Sequence, residues 1–478
     1  MDHGLELHQN QTCYKQLMSF SCMTMGIMYT WPSSTLKLFS TVNTTLDRPM
    51  TETELGLLGS LSAISGLVST PFSGIFLDKF GRKNCCIIFS MTQVTAWVLV
   101  IVWHRVEAVL TSIFVSGLSS CMLLAVPIYV GEFCQESIRG TMSSGSIVFY
   151  GIGMLVSYLL GGFLDYDCMN YTCLTLAMTG ILLVTFLKES PLYLMTKGLE
   201  KEAKKSIAFY RGVKVDSKEV LEEIENLRRS LNPELDDATP EEEKLKPDLV
   251  TKEKLSIWRF MKKSRSSRRA LVMTLVLYTL SVFQGLVVVQ VYAEPLFEEA
   301  VPNLSATWSS VLLAIVTVIA GIISAYLIDL WGRRPLLIYG SFGAGVCCLA
   351  LGTQLHWHWA PHWATAVFIY LFSVLYTVGA GTVPYVLAAE VFLPEVKSFV
   401  SMISMEWAFV CYFVILFIFN PLVSAIGLGS VFFIFAAVCI LTGVYSVVWV
   451  PETKGLKVDV IQTKFFKKPQ KSLITWSD

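Results

Sequence analysis

Apolar residues in this chain fall in long blocks rather than in short alternating runs. About 20 mostly apolar residues are what a helix needs to cross membrane hydrocarbon. Twelve such blocks are predicted, at 16–38, 54–77, 84–103, 108–130, 141–162 and 171–187, then at 270–292, 307–328, 335–355, 363–386, 399–419 and 429–450. Several are interrupted by polar or small residues, as helices lining a cavity are. One long polar stretch, 188–269, separates the sixth block from the seventh. The pattern predicts an all-α membrane protein of twelve transmembrane helices in two six-helix pseudo-symmetric halves, 1–187 and 270–450. The stretch 188–269 joins them, and 451–478 forms a tail.

The polar stretch contains two charged segments with the look of short surface helices, Glu200–Arg211 and Lys218–Leu231. Acidic Asp236-Asp237 and Glu241 to Glu243 then give way to basic Lys262-Lys263 and Arg265 to Arg269. Cations just before the seventh helix act as a topological stop, and they are also placed to meet anionic headgroups.

The remaining cations set the orientation. Lys79, Arg82, Lys83, Arg139, Arg333, Arg334 and Lys397 lie in even-to-odd loops, whereas the opposite loops hold little beyond Arg48 and Arg105, with Lys37 at a helix end. The positive-inside rule therefore predicts both termini and the linker in the cytoplasm. Asn43, Asn170 and Asn303 open Asn-x-Ser/Thr tripeptides in or beside loops assigned to the outside, and are candidate glycosylation acceptors. Asn170 is also close to a helix end.

Composition agrees with this class. Charged residues make up 15% of the 478, against roughly 25% in an average soluble domain, and the mean hydropathy is +0.57. Zero net charge argues against nucleic acid as a partner. Most of the 12 cysteines sit inside apolar blocks, where they read as small hydrophobes, and no metal spacing occurs. No metal or cofactor is expected. The polar first fifteen residues lead straight into a membrane helix, so no cleavable signal peptide is expected.

A repeat carries the chemistry. Gly74 to Lys83, reading GIFLDKFGRK, sits between the second and third blocks; Ala325 to Arg334, reading AYLIDLWGRR, sits between the eighth and ninth. Each half also brings a glutamate to the same membrane edge, Glu132 and Glu390, with a cation seven residues on, Arg139 and Lys397. The halves close on the related strings Lys188-Glu189-Ser190-Pro191 and Pro451-Glu452-Thr453-Lys454. Asp78, Arg82, Lys83, Glu132 and Arg139, with Asp329, Arg333, Arg334, Glu390 and Lys397, read as gating charges. Their pairs are expected to hold helices of one half in place while the cytoplasmic side is closed, and to break as the cavity opens inward. A topological role alone accounts for one such loop but not for a paired, spaced repeat.

Together these strings resemble the sugar porter family of the major facilitator superfamily. Asp-x-x-Gly-Arg-Arg/Lys in both halves, Pro127-x-Tyr129-x-x-Glu132 with Arg139-Gly140, Glu189 to Leu194, and Pro451 to Gly455 carry the resemblance, which extends over nearly the whole chain. The style is similar to insect facilitated trehalose and glucose transporters. The resemblance implies the major facilitator fold, a central cavity, and alternating access without ATP in the plasma membrane.

Measured against that family, the cavity departs from expectation. The fifth-helix glutamine is Ile147, the paired seventh-helix glutamines are Ser281 and Val282, and the asparagine after them is Val287. The eighth-helix asparagine is Thr317, the tenth-helix acid and tryptophan are Thr377 and Tyr385, and the fourth-helix arginine is Ser112. Trp407 is kept, but the residue before it is Glu406. Sugar hydroxyls stripped of water need hydrogen-bond partners. Candidate replacements are Gln284, Gln290, Tyr292, Thr317, Thr377, Tyr385, Glu406 and Trp407, each weighed against ordinary helix packing. A carboxylate at Glu406, inside the hydrocarbon, costs roughly 2.5–3.5 kcal/mol on insertion scales and so must face protein or water. It would couple transport to a proton, pair with a cationic solute, or serve as a hydrogen-bonded structural group. The expected function is facilitative transport of a hexose or trehalose-like sugar. Alternatives are transport of another small organic solute and a non-transporting sensor; no enzyme constellation stands out.

Overall fold

The computed structural model describes residues 2–133, 139–231, 265–392 and 394–454, with Leu456 and Ile461. Side chains are described there except at 2–13, 15, 123–124, 127, 139–147, 229–231, 265, 389 and 394–399. The acidic run and Lys262-Lys263 of the linker lie outside the described residues.

The first half runs α1 (Asp2–Ser40), α2 (Glu52–Phe80), α3 (Arg82–Val102), α4 (Val106–Gly117), α5 (Met122–Phe133), α6 (Arg139–Phe163) and α7 (Tyr166–Thr185). A short 3-10 turn, Leu118–Cys121, joins α4 to α5, so these two form the fourth span. Three short helices follow: α8 (Pro191–Thr196), α9 (Glu200–Arg211) and α10 (Lys218–Leu231). The second half runs α11 (Arg265–Val282), α12 (Leu286–Val291), α13 (Ala293–Ala300), α14 (Ala306–Trp331), α15 (Arg333–Trp357), α16 (His362–Val378), α17 (Val383–Glu390), α18 (Pro394–Ile426) and α19 (Leu428–Trp449). Eight spans, one of them the α16–α17 pair, are long and apolar enough to cross a membrane, among the described residues. The other four positions are filled by α1, the α4–α5 pair, α6, and the broken α11–α12 pair.

Breaks come where backbone geometry demands them. Gly285 adopts φ +93°, and this left-handed residue splits the seventh span. Helix α2 begins on a capping box: Thr51 accepts from the Glu54 amide at 3.4 Å while the Glu54 carboxylate accepts from the Thr51 amide at 2.8 Å. Large side chains such as Ile75, Ile322, Tyr339 and Val346 are exposed on the spans, as a hydrocarbon solvent allows and water does not.

The first half holds two cores of its own, and a third, mostly of the second half, takes in Met154 and Tyr158 of α6. Trp31, Trp97 and Ile113 lie in one core of the first half and Tyr129, Phe133 and Cys121 in the other; Leu337, Cys348, Phe372 and Phe432 lie within the third. The halves meet along four helix pairings: α1 with α12, α1 with α13, α2 with α18, and α6 with α14. Small helices α8 and α9 pack against α5 and α1 of the first half, and Ala203, Ile207 and Val220 form a satellite core there. Asn170 is a correction. It is buried inside α7 and accepts from the Trp31 indole N–H at 3.1 Å, so no glycan can reach it. Asn43 and Asn303 are exposed.

Candidate functional site

The two charge clusters at one end of the helix bundle are built from the same parts. In the first half, Arg82 opens α3 and reaches Glu132 at the end of α5, with Nε and Nη2 at 3.0 and 2.9 Å from Oε1. Ser190 donates to the other oxygen of Glu132. Glu189 accepts the backbone N–H groups of Arg82 and Lys83 at 2.9 and 3.0 Å, and so caps the amino terminus of α3. In the second half Arg333 opens α15 and reaches Glu390 at 2.6 Å, and Thr453 donates to Glu390 at 2.7 Å. Glu452 accepts from the Arg333 and Arg334 amides at 3.1 and 3.0 Å.

The glycines show why the motif needs its Asp-x-x-Gly-Arg spacing. Gly81 and Gly332 have φ, ψ of 90°, 170° and 91°, 171°, a region that L side chains rarely adopt. A Cβ at either would fall 2.4 or 2.8 Å from a carboxylate oxygen of Glu189 or Glu452. Only glycine lets the chain turn out of one span while the next is capped.

Exposure ranks the partners. Glu132 is 7% exposed and Asp78 81%, at 3.7 Å from Arg82; Asp329 is 76% exposed against 29% for Glu390. The arginine–glutamate pairs are therefore the desolvated ones, and the aspartates sit at the wet rim. Burial works against the charge of Glu452, but backbone donors from Lys454, Arg333, Arg334 and Thr453 outweigh it and hold its carboxyl below the usual range. Both clusters close within one half. Between described residues, no ion pair joins the halves at this edge. The side chains of Arg139 and Lys397 lie outside the described residues.

At the opposite edge the halves do join. Lys37 of α1 bonds both oxygens of Glu298 of α13, at 2.8 and 2.9 Å, and Ser33 accepts from the Glu294 amide at 2.9 Å. These residues line a cleft of about 330 Å³ with Ser34, Leu38 and Thr41. Just beneath, Tyr292 is buried against α2, donating to the Leu416 carbonyl at 3.1 Å and stacking on Phe419. A Cβ on Gly59 would fall 2.2 Å from its hydroxyl. This edge is shut.

The candidate cavity residues separate into groups. Tyr385 and Trp407, in the tenth and eleventh spans, stay 38% and 42% exposed. Tyr385 shares a hydrogen bond with Tyr412 at 2.8 Å and meets the edge of Tyr278. Trp407 donates to Thr279 at 2.7 Å. Glu406, on the next position of α18, is half-buried, and its Oε1 is sealed with no partner. Thr317 is tied to Ser373 at 2.8 Å, and the Thr377 hydroxyl is sealed without a partner. Gln284 is fully buried in the second half, its Nε2 3.5 Å from Ser341, so the structure places it in that half's core rather than beside Trp407. Gln290 is half-buried, and its backbone carbonyl accepts from Tyr158 of the first half.

Two clusters repeated in kind, each closed within its own half, and one seam between the halves match the architecture of a known group. The model of the "Sugar (and other) transporter" family matches residues 12–465. The chain belongs to this family. A facilitated trehalose transporter of Polypedilum vanderplanki is 24% identical over 470 residues, covering 94% of this chain and 88% of the relative. One from Bombyx mori is 24% identical over 467 residues, covering 94% and 87%. An inward-open structure of the xylose transporter XylE from E. coli superposes with a TM-score of 0.75 at 16% identity, over 95% of this chain and 99% of that one. A D-xylose–proton symporter structure gives 0.70 at 17% identity, over 93% and 98%. At such identities the structures show the fold, which is the twelve-helix major facilitator fold.

Glu189, Ser190, Glu452 and Thr453 complete the two clusters, and the sequence does not disclose their contacts. Their strings are visible at the ends of the two halves. That each carboxylate caps a helix over 100 positions away is a matter of tertiary packing, and no local pattern announces it.

Proposed function

We propose that the chain is a facilitative transporter of a hexose or trehalose-like disaccharide, working by alternating access in the plasma membrane with both termini cytoplasmic. The observation that carries this reading is the unequal bonding of the two membrane edges. Charge clusters hold each half together as a unit at the inner edge, while the halves are joined to each other at the outer edge. Two units that keep their internal bonds and exchange only the bonds between them can rock about a central cavity. The excess of cations at the inner edge supports the orientation, and the relatives named above support a sugar as solute. Uptake of labelled trehalose and glucose into oocytes, with surface expression measured alongside, tests the reading. Saturable uptake above uninjected controls is expected; surface expression without uptake would favour a sensor.

A second reading is favoured by Glu406, whose sealed, unpartnered oxygen is unusual for a group within the membrane. On this reading the carboxyl carries a proton with the solute or pairs with a cationic one. Glu406→Gln keeps the shape and removes the charge. Loss of pH-dependent uptake in that variant is expected, and unchanged pH dependence would remove the second reading.

A further inference from the structure

The side chains expected from the sequence to meet the solute are largely engaged by the protein itself. The Trp407 indole N–H, the Tyr292 hydroxyl and the Thr317 hydroxyl all have partners, and Gln284 is in a core. Ser281, where the family has a carboxamide, donates to the Ala380 carbonyl. A sugar must therefore find its hydrogen bonds elsewhere.

Two phenols of the first half are uncommitted. Tyr29 on α1 and Tyr150 on α6 are half-buried, and neither hydroxyl is bonded or sealed off among the described residues. Their placement is built in. Gly26, one turn before Tyr29, lies so close to α6 that a Cβ there would fall 2.2 Å from the Tyr150 carbonyl; Gly153 approaches the Met23 carbonyl in return. This close helix contact sets the two rings side by side, centroids 5.9 Å apart at 54°. Both rings pack against the core that Met154 and Tyr158 of α6 share with the second half, and Tyr385 lies within electrostatic reach of each. Tyr385 and Trp407 present exposed aromatic surface from that opposite half.

We propose that Tyr29 and Tyr150 are solute-binding residues, their hydroxyls holding adjacent hydroxyls of a sugar ring whose apolar face lies on Tyr385 and Trp407. A phenol both donates and accepts, so two of them can replace the missing carboxamides in kind. Their rings have few rotors, which limits the entropy lost on binding. The proposal rests on the sugar-transport reading and names the residues that make the contact.

Tyr29→Phe and Tyr150→Phe remove one oxygen each and keep the rings. Each is expected to raise KM for sugar uptake roughly fivefold to tenfold, with the maximal rate per surface molecule held within about twofold. Glucose analogues lacking single hydroxyls supply the readout that a packing role would not move. For one analogue, the loss seen in the unchanged chain should vanish in the phenylalanine variant. Unchanged KM in both variants, or losses that simply add for every analogue, would overturn the proposal. If a variant fails to reach the surface, Tyr150→Cys in purified Cys168→Ser protein replaces it, because Cys168 is itself exposed. Glucose must then shield that thiol from a maleimide, and equal labelling with and without glucose overturns the assignment. Absence of sugar uptake by the unchanged, surface-expressed chain would instead overturn the transport reading and the assignment with it.

Discussion

Arg82 and Arg333 each sit between two carboxylates, and the two are not equivalent. Removing one member of the buried Arg82–Glu132 pair leaves the other charge desolvated and alone, which costs about 3–5 kcal/mol. Arg82→Ala is therefore expected to lower the thermal unfolding midpoint of the detergent-solubilised protein markedly. Asp78→Asn touches a group that is 81% exposed and should change stability by at most about 1 kcal/mol. Equal effects from the two would mean that the exposed aspartate, not the glutamate, anchors the arginine. Gly81→Ala adds a further case at the same scale. It forces a side chain into a backbone region that costs about 1–3 kcal/mol and pushes it onto Glu189. Much of this was legible in the sequence, because an Asp-x-x-Gly-Arg string between two apolar blocks marks a charged turn at a membrane edge. The partner choice was not, because burial decides it and periodicity does not report burial around a membrane helix. The same limit hid Tyr29 and Tyr150, since an aromatic residue in an apolar span reads as core. It also put Gln284 among the cavity candidates, although Gly285 breaks the span there and the side chain turns into its own half.

Helices in this molecule divide by what they pack against. Within a half, α1 and α6 approach closely enough to need Gly26 and Gly153 at the contact. Between halves, α2 and α18 meet through Gly56 against Phe417 and Gly66 against Phe409, and Tyr292 fills the place left by Gly59. The seam is formed by large rings lying on glycines, which can part without breaking a buried ion pair. Gly59→Leu should keep Tyr292 from seating and hold the outer edge open. The measurement is labelling of Ser34→Cys by a membrane-impermeant maleimide, in a Cys168→Ser background because Cys168 is itself exposed. Faster labelling with the leucine present is expected; an unchanged rate would show that Tyr292 does not seal the outer side. The helix count and the duplication were readable from apolar blocks and the repeated motif. The broken seventh and tenth spans were not separable from continuous ones; in the seventh, a single glycine at φ +93° leaves hydropathy unchanged.

Across the whole molecule, closure of the edge joined by Lys37 and Glu298 carries a titratable group. Burial, with the Glu298 charge second, raises the Glu294 carboxyl to about 7 despite Lys37 and a bond from Thr307; Tyr158 is the further ionisable group facing it. Opening the edge returns Glu294 to water and to an ordinary carboxyl pKa of about 4.3. Protonation therefore favours the closed edge. Its contribution is complete below the open-state value and disappears as pH rises through about 7. Labelling of Ser34→Cys, corrected for thiol ionisation, should increase across that range, and Glu294→Gln should abolish the increase. A step that persists with glutamine would assign it to another group. The Lys37–Glu298 pair is 67% and 41% exposed, so Lys37→Ala should shift this equilibrium only slightly.

All of this presupposes a molecule that carries its solute from one edge to the other. Counterflow in liposomes containing only the purified chain tests that claim most directly. Vesicles loaded with unlabelled glucose or trehalose are diluted into a trace of the labelled sugar. The account predicts a transient accumulation of label above equilibrium that protein-free vesicles do not show. A flat approach to equilibrium, matching empty vesicles for both sugars, would contradict it.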